Sequence, residues 1–239
     1  MKFYGISDIG LARMTNQDAW SAEPDLGFFA LADGIGGRKG GEVAAQETIK
    51  VISKEIRRLS LFSNNFQETI DFSRGIREAI ESANSVVHSM SCENEHLQGM
   101  GSTLCCLLST PQLVYYAHVG DSRVYRFREN RLSPLTYDHS LFARWLAKNQ
   151  RNTPSPPKNI ITRAIGMAKK VNPEIACSPS QPGDLYLLCS DGLTDAVEND
   201  ELQRILSEGV SLQEISQKMI ISAKNSGSND NITVLTVRI

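Results

Sequence analysis

Cysteine is scarce in this chain, and the few cysteines follow no disulfide or metal-binding pattern. Their number is five, which is odd, and no C-x-x-C spacing occurs. This excludes a disulfide scaffold and a cysteine zinc cluster, and it favours reduced, buried thiols in a cytoplasmic protein. Cys105 and Cys106 are adjacent in an apolar run, so we expect a strand that points their side chains to opposite faces.

The chain also lacks a long apolar run and a strong net charge. No segment approaches the ~18 apolar residues of a membrane span, and the opening residues, MKFYGISD, contain no signal-peptide core. The formal net charge is −2 and the pI is about 6.1, which gives no bulk attraction to nucleic acid or to anionic membranes. We therefore expect a cytoplasmic protein with no membrane or nucleic-acid partner.

A glycine-rich run at residues 34–41, GIGGRKGG, lacks the spacing of the common nucleotide-binding loops. Neither G-x-x-x-x-G-K-[ST] nor G-x-G-x-x-G fits it. A turn that leads into a helix explains the run better.

What the sequence does contain is a series of short strands and two pairs of helices. Apolar or alternating runs predict strands at 3–9, 27–32, 102–109, 113–119, 123–127, 184–189 and 232–237. Apolar spacings of three and four predict two long helices between residues 33 and 101, and two more at about 200–208 and 211–224. Turn residues at 110–112 and 129–131 predict hairpins, so we expect an α+β fold of antiparallel sheets packed face to face, with helix pairs outside.

The organisation of the chain favours one domain over residues 1–239. The loosest stretch is the polar, proline-rich segment KNQRNTPSPPK at residues 148–158, which is either a linker or a surface flap. Because the strands on both sides look like parts of one sheet system, we predict a flap at about residues 139–160.

Aspartates at predicted turns and strand ends carry the main functional signal. They are Asp18, Asp33, Asp121, Asp191, Asp195 and Asp230. Two of them open similar Asp-Gly steps, ADGIGG and SDGLTD, where we expect glycine to allow a sharp turn after a strand. Asp-Gly is a common turn dipeptide, so each step alone has an ordinary structural explanation. Gathered carboxylates repel one another unless cations hold them, so the whole set predicts a metal-dependent hydrolase.

Arg13 follows the first predicted strand and offers an anion-binding group. A guanidinium grips phosphate through two parallel hydrogen bonds. A lone exposed arginine is usually ordinary surface, so Arg13 counts only together with the rest of the pattern.

Eight motifs occur along the chain in a recognisable order. They are DIGLARMTNQD, ADGIGG, GMGST, VGDSR, LTYDHS, ITRAIG, LCSDGLTD and NDNIT. In this order they resemble the metal-dependent serine/threonine protein phosphatases of type 2C, in their compact bacterial form. The resemblance covers the whole chain, and the order makes it specific although each motif alone is weak.

The resemblance implies a four-layer αββα sandwich with two Mn²⁺ or Mg²⁺ ions at one edge. Asp33 would bridge both ions, and the carbonyl of Gly34 would ligate one of them. Asp191 and Asp230 would complete the ligands of the other ion, and Asp18 would hold a metal-bound water.

The resemblance also implies substrate contacts and a further ion. Arg13 would bind the substrate phosphate, and Asn231 would lie close to it. Asp121 and Asp195 would hold a third, weaker metal ion.

The implied chemistry is direct attack by water, because a water between two cations becomes a hydroxide near neutral pH. All-oxygen ligation suits Mg²⁺ and Mn²⁺, and no covalent phosphoenzyme is required.

Ile35 stands where many eukaryotic members carry a histidine proposed as general acid, so the leaving group must find its proton elsewhere. Gln17 stands where glutamate is frequent, and His139 is interpreted as structural. Basic flap residues contact either a phosphopeptide or only solvent: Arg144, Lys148, Arg151 and Lys158.

The predicted function is hydrolysis of phosphoserine and phosphothreonine in proteins, by a monomer that opposes a cellular Ser/Thr kinase. One alternative is a pseudophosphatase that binds phosphoproteins without turnover. Another is a two-metal hydrolase of small phosphoesters, which would use the same site.

Overall fold

The structure, a computed structural model, describes residues 1–36, 40–65, 71–148 and 153–239. The strands are β1 (Lys2–Asp8), β2 (Asp18–Glu23), β3 (Phe28–Ile35), β4 (Gly101–Ser102), β5 (Leu104–Ser109), β6 (Leu113–Val119), β7 (Arg123–Arg128), β8 (Arg131–Pro134), β9 (Glu174–Pro179), β10 (Leu185–Cys189) and β11 (Ile232–Arg238). The helices are α1 (Gly40–Asn65), α2 (Phe72–Glu93), α3 (Leu141–Ala147), α4 (Asp191–Thr194), α5 (Asn199–Leu206) and α6 (Leu212–Asn225).

The strands form two antiparallel sheets. The first has the order β1-β11-β10-β7-β8, and the second has the order β2-β3-β5-β6-β9, with the short β4 paired to β3. Apolar side chains from both sheets meet in a shared core that includes Leu31, Leu107, Leu188 and Leu235. The sheets therefore pack face to face.

Helices cover the outer face of each sheet. Residues of α1 and α2, such as Ile52 and Ile80, pack on the second sheet, and residues of α5 and α6, such as Ile205 and Met219, pack on the first. The predicted αββα arrangement of an α+β fold is confirmed.

Strand β3 explains why the sequence can fill two cores at once. Phe28 and Ala30 join the core under α1 and α2, while Phe29 and Leu31 join the core between the sheets. Successive side chains of a strand point to opposite faces, so an unbroken apolar run suits a strand buried on both sides. Cys105 and Cys106 divide in the same way, as predicted.

Antiparallel pairing brings the ends of several strands together. In the second sheet Asp18 at the start of β2 pairs with Asp33 near the end of β3. In the first sheet the end of β10 lies beside the starts of β7 and β11, since Cys189 pairs with both Arg123 and Val234. The segments just beyond these strand ends carry the other aspartates.

Both predicted hairpins are confirmed. The strands β5 and β6 pair across residues 110–112, and β7 pairs with β8 through Glu129 and Asn130. Glu129 and Asn130 have φ angles of 51° and 59°, the left-handed conformation that a two-residue hairpin turn requires at both positions.

The elements that were not predicted include β2, β9, α3 and the four-residue helix α4. The sequence of β9, EIACSP, contains glutamate, serine and proline because it is the outer strand of its sheet and is largely exposed. Helix α3 is seven residues long and depends on a local cap, in which the Ser140 hydroxyl accepts a hydrogen bond from the Ala143 amide at 3.1 Å. Elements this short or this exposed carry little periodicity.

The segment predicted as a flap has a fixed neck. The Leu141 amide donates to the Ile160 carbonyl at 2.8 Å, and the Thr162 amide donates to the His139 carbonyl. The assignment of residues 1–239 to one domain with a flap at about 139–160 stays a prediction. Among the described helices, none has both the length and the apolar character needed to cross a bilayer.

Candidate metal centre

The first part of the site is the Asp18–Asp33 pair of β2 and β3. The amide of Asp33 donates to the Thr103 hydroxyl at 2.9 Å, and the Asp33 carbonyl accepts from the Thr103 amide at 2.8 Å. One oxygen of Asp18, Oδ2, accepts hydrogen bonds from the hydroxyls of Ser190 at 2.8 Å and Thr233 at 2.6 Å. The backbone of one aspartate and the side chain of the other are therefore fixed from several elements.

The space around residue 34 is too crowded for any side chain, so glycine is required there. A Cβ at this position would lie 2.1 Å from the carbonyl oxygen of Gly41 and 2.8 Å from that of Gln17. The expected sharp turn directly after Asp33 is wrong, because β3 continues through Gly34 to Ile35 and pairs there with β4. Glycine lets α1 and the Gln17 segment approach the strand at the point where the Gly34 carbonyl was predicted to act.

Asp191 begins helix α4, so the turn expected after it is also wrong. Its carbonyl accepts a hydrogen bond from the Asp195 amide at 2.8 Å. A Cβ at Gly192 would lie 2.0 Å from the carbonyl oxygen of Asn231. Absence of a side chain at Gly192 thus brings Asp191 next to the segment that carries Asp230.

Asp230 is paired with Arg13, whose Nη2 donates to Asp230 Oδ2 at 2.7 Å. About half of the Arg13 side chain stays exposed, with 52% accessible to solvent. Part of the guanidinium therefore remains available to an anion at the mouth of the site.

Asn231 is buried and uses both ends of its amide inside the protein. Its Oδ1 accepts from the Gln17 amide at 2.8 Å, and its Nδ2 donates to the carbonyls of Ile9 at 2.9 Å and Thr15 at 3.0 Å. These bonds hold the loop that carries Arg13. The substrate contact expected for Asn231 stays a prediction, since its observed contacts are those of a residue that positions Arg13.

Asp121 and Asp195 are the two aspartates predicted to hold a third ion, and Asp195 also lines a cavity with Arg13 and Asp230. Asp121 follows β6 and is nearly buried, and Asp195 follows α4. Both line a cavity of about 170 Å³ together with Asp191 and with Lys158 of the predicted flap. The pair predicted to hold a third ion therefore shares one cavity with a member of the main set.

Burial and repulsion raise the pKa values of the central carboxyl groups. Burial is the largest cause for Asp33 and Asp191, and neighbouring aspartates add to it, so the pKa of each lies well above its ordinary range. Burial also raises the pKa of Asp18 to about 6, although its hydrogen bonds from Thr233 and Ser190 oppose the rise. The metal-free arrangement is electrostatically unfavourable for the charged forms.

The pKa values of Asp121 and Asp195 are also raised. Burial first and Asp138 second raise the pKa of Asp121 to about 6, and desolvation raises the pKa of Asp195. Each of these shifts favours a proton, or another cation, at the carboxylate.

The residues present fit divalent cations with oxygen ligands. Asp18 Oδ1 and Asp191 Oδ1 are buried and have no hydrogen-bond partner among the described residues. Buried polar atoms without partners are rare and call for an unseen ion or water. Within the described residues no three of these aspartates bring oxygens within 4.8 Å of one another, so waters or more than one ion must complete the coordination. Mg²⁺ commonly takes only one or two carboxylates and keeps several waters.

A second group of possible ligands, His118, His139 and Glu174, does bring its atoms within 4.8 Å of one another. Arg163 Nη1 already supplies a positive charge there, at 3.0 Å from both Glu174 Oε1 and His139 Nε2. The Gly120 amide donates to His139 Nδ1 at 3.2 Å. These contacts are structural, and they fix the residue that precedes Asp121.

The cysteines take no part in the site. All five are free, and Cys105, Cys106 and Cys189 are buried. Burial raises the pKa of Cys106 and Cys189 to about 12, so they hold no thiolate at neutral pH. The expectation that all the thiols are buried is wrong for Cys92 and Cys177, which lie on the outer surface of α2 and on the exposed strand β9.

The basic flap residues differ in their surroundings. Arg144 lines a cavity of about 650 Å³ beside α3, Lys158 lines the smaller cavity, and Lys148 is exposed. Arg151 lies outside the described residues.

Sequence reasoning did not identify Thr103, Ser190 and Thr233 as supports, although hydroxyl residues beside buried aspartates were a visible signal.

Comparison with known proteins places the chain in a family. The sequence profile of the family described as Protein phosphatase 2C matches residues 12–226. The serine/threonine phosphatase stp of Listeria welshimeri is 34% identical over 97% of this chain and 93% of its own length. Protein phosphatase PhpP of Streptococcus pneumoniae is 30% identical over 97% of this chain and 95% of its own length.

A solved structure agrees with this comparison. The catalytic domain of the serine/threonine protein phosphatase PstP, in complex with two manganese ions, superposes with a TM-score of 0.85 at 29% identity. The match covers 98% of this chain and 96% of that domain. The chain therefore belongs to the protein phosphatase 2C family of metal-dependent Ser/Thr protein phosphatases.

Proposed function

We propose that this chain hydrolyses phosphoserine and phosphothreonine in proteins, with two Mn²⁺ or Mg²⁺ ions in the aspartate centre. The observation that carries the proposal is the gathering of Asp18, Asp33, Asp191 and Asp230 beside Arg13. Two of the buried carboxylate oxygens lack hydrogen-bond partners among the residues that the structure describes. Anionic ligands next to an exposed guanidinium suit a phosphate ester that binds between cations.

In this proposal the aspartates divide between the ions. Asp33 would be shared by the two ions, the Gly34 carbonyl would ligate one, and Asp191 and Asp230 would ligate the other. When bound, the ions would lower the pKa of water and draw charge from the phosphoryl group. Asp121 and Asp195 would hold a third, weaker ion.

Asp18 orients the attacking water. Its Oδ2 is occupied by the Ser190 and Thr233 hydroxyls, so Oδ1 is the atom left to accept a hydrogen bond from water. Two fixed bonds on one oxygen hold the carboxylate in one orientation, which favours attack in line with the leaving oxygen.

Arg13 binds the phosphate through the part of its guanidinium that does not contact Asp230. Its loop is held by the Asn231 amide, so Asn231 contributes to phosphate binding by positioning Arg13. Ile35 has no proton to give, and the leaving alkoxide therefore takes its proton from solvent.

The setting of the reaction is proposed from related proteins and from the cysteines. One relative is named a serine/threonine phosphatase and another a protein phosphatase, which supports phosphoprotein substrates, and we infer that a cellular Ser/Thr kinase acts in opposition. Five free thiols support a cytoplasmic location. All residues assigned to the centre come from one chain, which supports a monomer.

Release of phosphate from a phosphothreonine peptide tests the activity. We expect turnover with Mn²⁺ or Mg²⁺ and none with EDTA, and a lower kcat/KM for a small ester such as p-nitrophenyl phosphate. A folded protein that binds the peptide without turnover would be a pseudophosphatase instead. Faster hydrolysis of the small ester would favour a small-molecule substrate.

Replacement of the proposed bridging ligand separates catalysis from folding. We expect Asp33→Asn to lower kcat/KM by more than about 100-fold, because the neutral amide weakens metal binding. In EDTA the variant should be at least as stable as wild type, because one repelling charge is gone. Thermal denaturation and initial rates provide the two readouts.

Asp25→Asn is the matched control for that substitution, since Asp25 is exposed in the connection between β2 and β3. It should keep wild-type activity and metal dependence. Near-normal activity of Asp33→Asn would rule out the bridging assignment.

Removal of the guanidinium should act mainly on substrate binding. We expect Arg13→Ala to raise KM about tenfold with a smaller change in kcat, because the phosphate contact is shared by ground and transition states. Arg13→Lys should recover only part of the loss, since lysine keeps the charge without the planar fork. Steady-state kinetics would contradict the role if kcat fell strongly while KM stayed constant.

Protons and metal ions should compete for the same carboxylates. Asp18 and Asp121 have pKa values of about 6 in the fold, above the ordinary value of 3.8, so in EDTA they stabilise the protein at low pH and lose this contribution as pH rises through 6. Saturating Mn²⁺ should therefore raise Tm more at about pH 7.5 than at about pH 5.5. Equal shifts at both values would contradict the competition.

A further inference from the structure

Lys158 is the basic residue of the predicted flap that lies next to the aspartates. It lines the 170 Å³ cavity that also contains Asp121, Asp191 and Asp195. Arg123 lines the same cavity, but its Nε and Nη2 donate to Asp138 at 2.8 and 2.7 Å. A cation supplied by the chain is thus present in the cavity where a metal cation is expected.

The position of Lys158 is set by the flap neck. Two residues after Lys158, the Ile160 carbonyl accepts the hydrogen bond from the Leu141 amide at 2.8 Å. Ser140 and Ile161 pair in the same place as an isolated antiparallel bridge. The backbone near Lys158 is therefore tied to the start of α3.

An aromatic ring supports the side chain of Lys158. The ammonium nitrogen lies 5.6 Å from the centroid of the Phe142 ring, within the range of a cation–π contact. Phe142 stacks on Trp145 with centroids 5.9 Å apart, and Trp145 Nε1 donates to the Thr153 hydroxyl at 3.0 Å. Phe142 also lines the smaller cavity, so the aromatic ring and Lys158 lie at the same cavity.

We propose that Lys158 is a built-in competitor of the third metal ion, which sets how weakly Asp121 and Asp195 bind it. The inference depends on the proposed assignment of these two aspartates to a third ion. A fixed ammonium reduces the negative potential of the cavity, so a divalent ion gains less on entering it. Asp33, Gly34 and Asp230 do not line this cavity, so we expect the two central ions to respond less to the charge of Lys158.

The size of the effect follows from Coulomb's law. One positive charge that acts on a divalent ion across one cavity, in a solvated setting, changes its affinity by about three- to tenfold. Because Lys158 is exposed to solvent, the effect should shrink as ionic strength rises.

Counting bound Mn²⁺ by electron paramagnetic resonance, together with isothermal titration calorimetry, tests the proposal without measuring activity. We expect wild type to bind two Mn²⁺ ions tightly and a third weakly. Lys158→Met should tighten the weak site about three- to tenfold while it changes the tight sites less than about twofold. Lys158→Arg should keep the wild-type affinity, because the charge is retained.

Two further variants serve as controls. Lys169→Met removes an exposed lysine outside this cavity and should leave all three affinities unchanged. Asp195→Asn, introduced alone or together with Lys158→Met, should weaken Mn²⁺ binding at the third site. This result would identify the third site as the one that responds to Lys158.

The possible failures are distinguishable. If wild type binds no Mn²⁺, the proposed metal centre and this inference are both overturned. If two ions bind tightly but the weak site has equal affinity in wild type and Lys158→Met, only the role of Lys158 is overturned. A raised KM for phosphopeptide with unchanged Mn²⁺ binding would make Lys158 a substrate contact instead.

Discussion

Repulsion among partly buried carboxylates is the constraint on which the rest of this structure depends. At the edge where the two sheets end, Asp18 and Asp191 add to the effect of burial in raising the pKa of Asp33, and Asp18 does the same for Asp191. A protein gains nothing from such a grouping by itself, because burial of each charge is unfavourable. Divalent cations turn the same charges into an attractive site, which links folding, metal binding and phosphate chemistry.

Neutral hydrogen-bonding groups hold the charged ones in place. Thr103 fixes the backbone of Asp33, and the hydroxyls of Ser190 and Thr233 fix one oxygen of Asp18. The Asn231 amide ties the Arg13 loop to the start of β11. These supports come from both sheets, so the geometry of the centre depends on the packing of the sandwich rather than on any one loop.

The chain provides two cations next to the aspartates. Arg13 pairs with Asp230, and Lys158 lines a cavity with Asp121, Asp191 and Asp195. Arg13 is placed by a buried amide, and Lys158 is placed by a neck of backbone hydrogen bonds and by the Phe142 ring. The cation proposed to bind substrate and the cation proposed to weaken metal binding are therefore held by separate local contacts.

The sequence by itself determined the fold class, the paired helices and the identity of the charged residues, because apolar periodicity and the order of the Asp-containing motifs are local properties. It did not predict β2, β9, α3 or α4, since short or exposed elements depend on neighbours that are distant in the chain. It also took Gly34 and Gly192 for turn residues. Only the tertiary structure decided that these positions must lack a side chain, because the folded chain places the carbonyl of Gly41 against Gly34 and the carbonyl of Asn231 against Gly192.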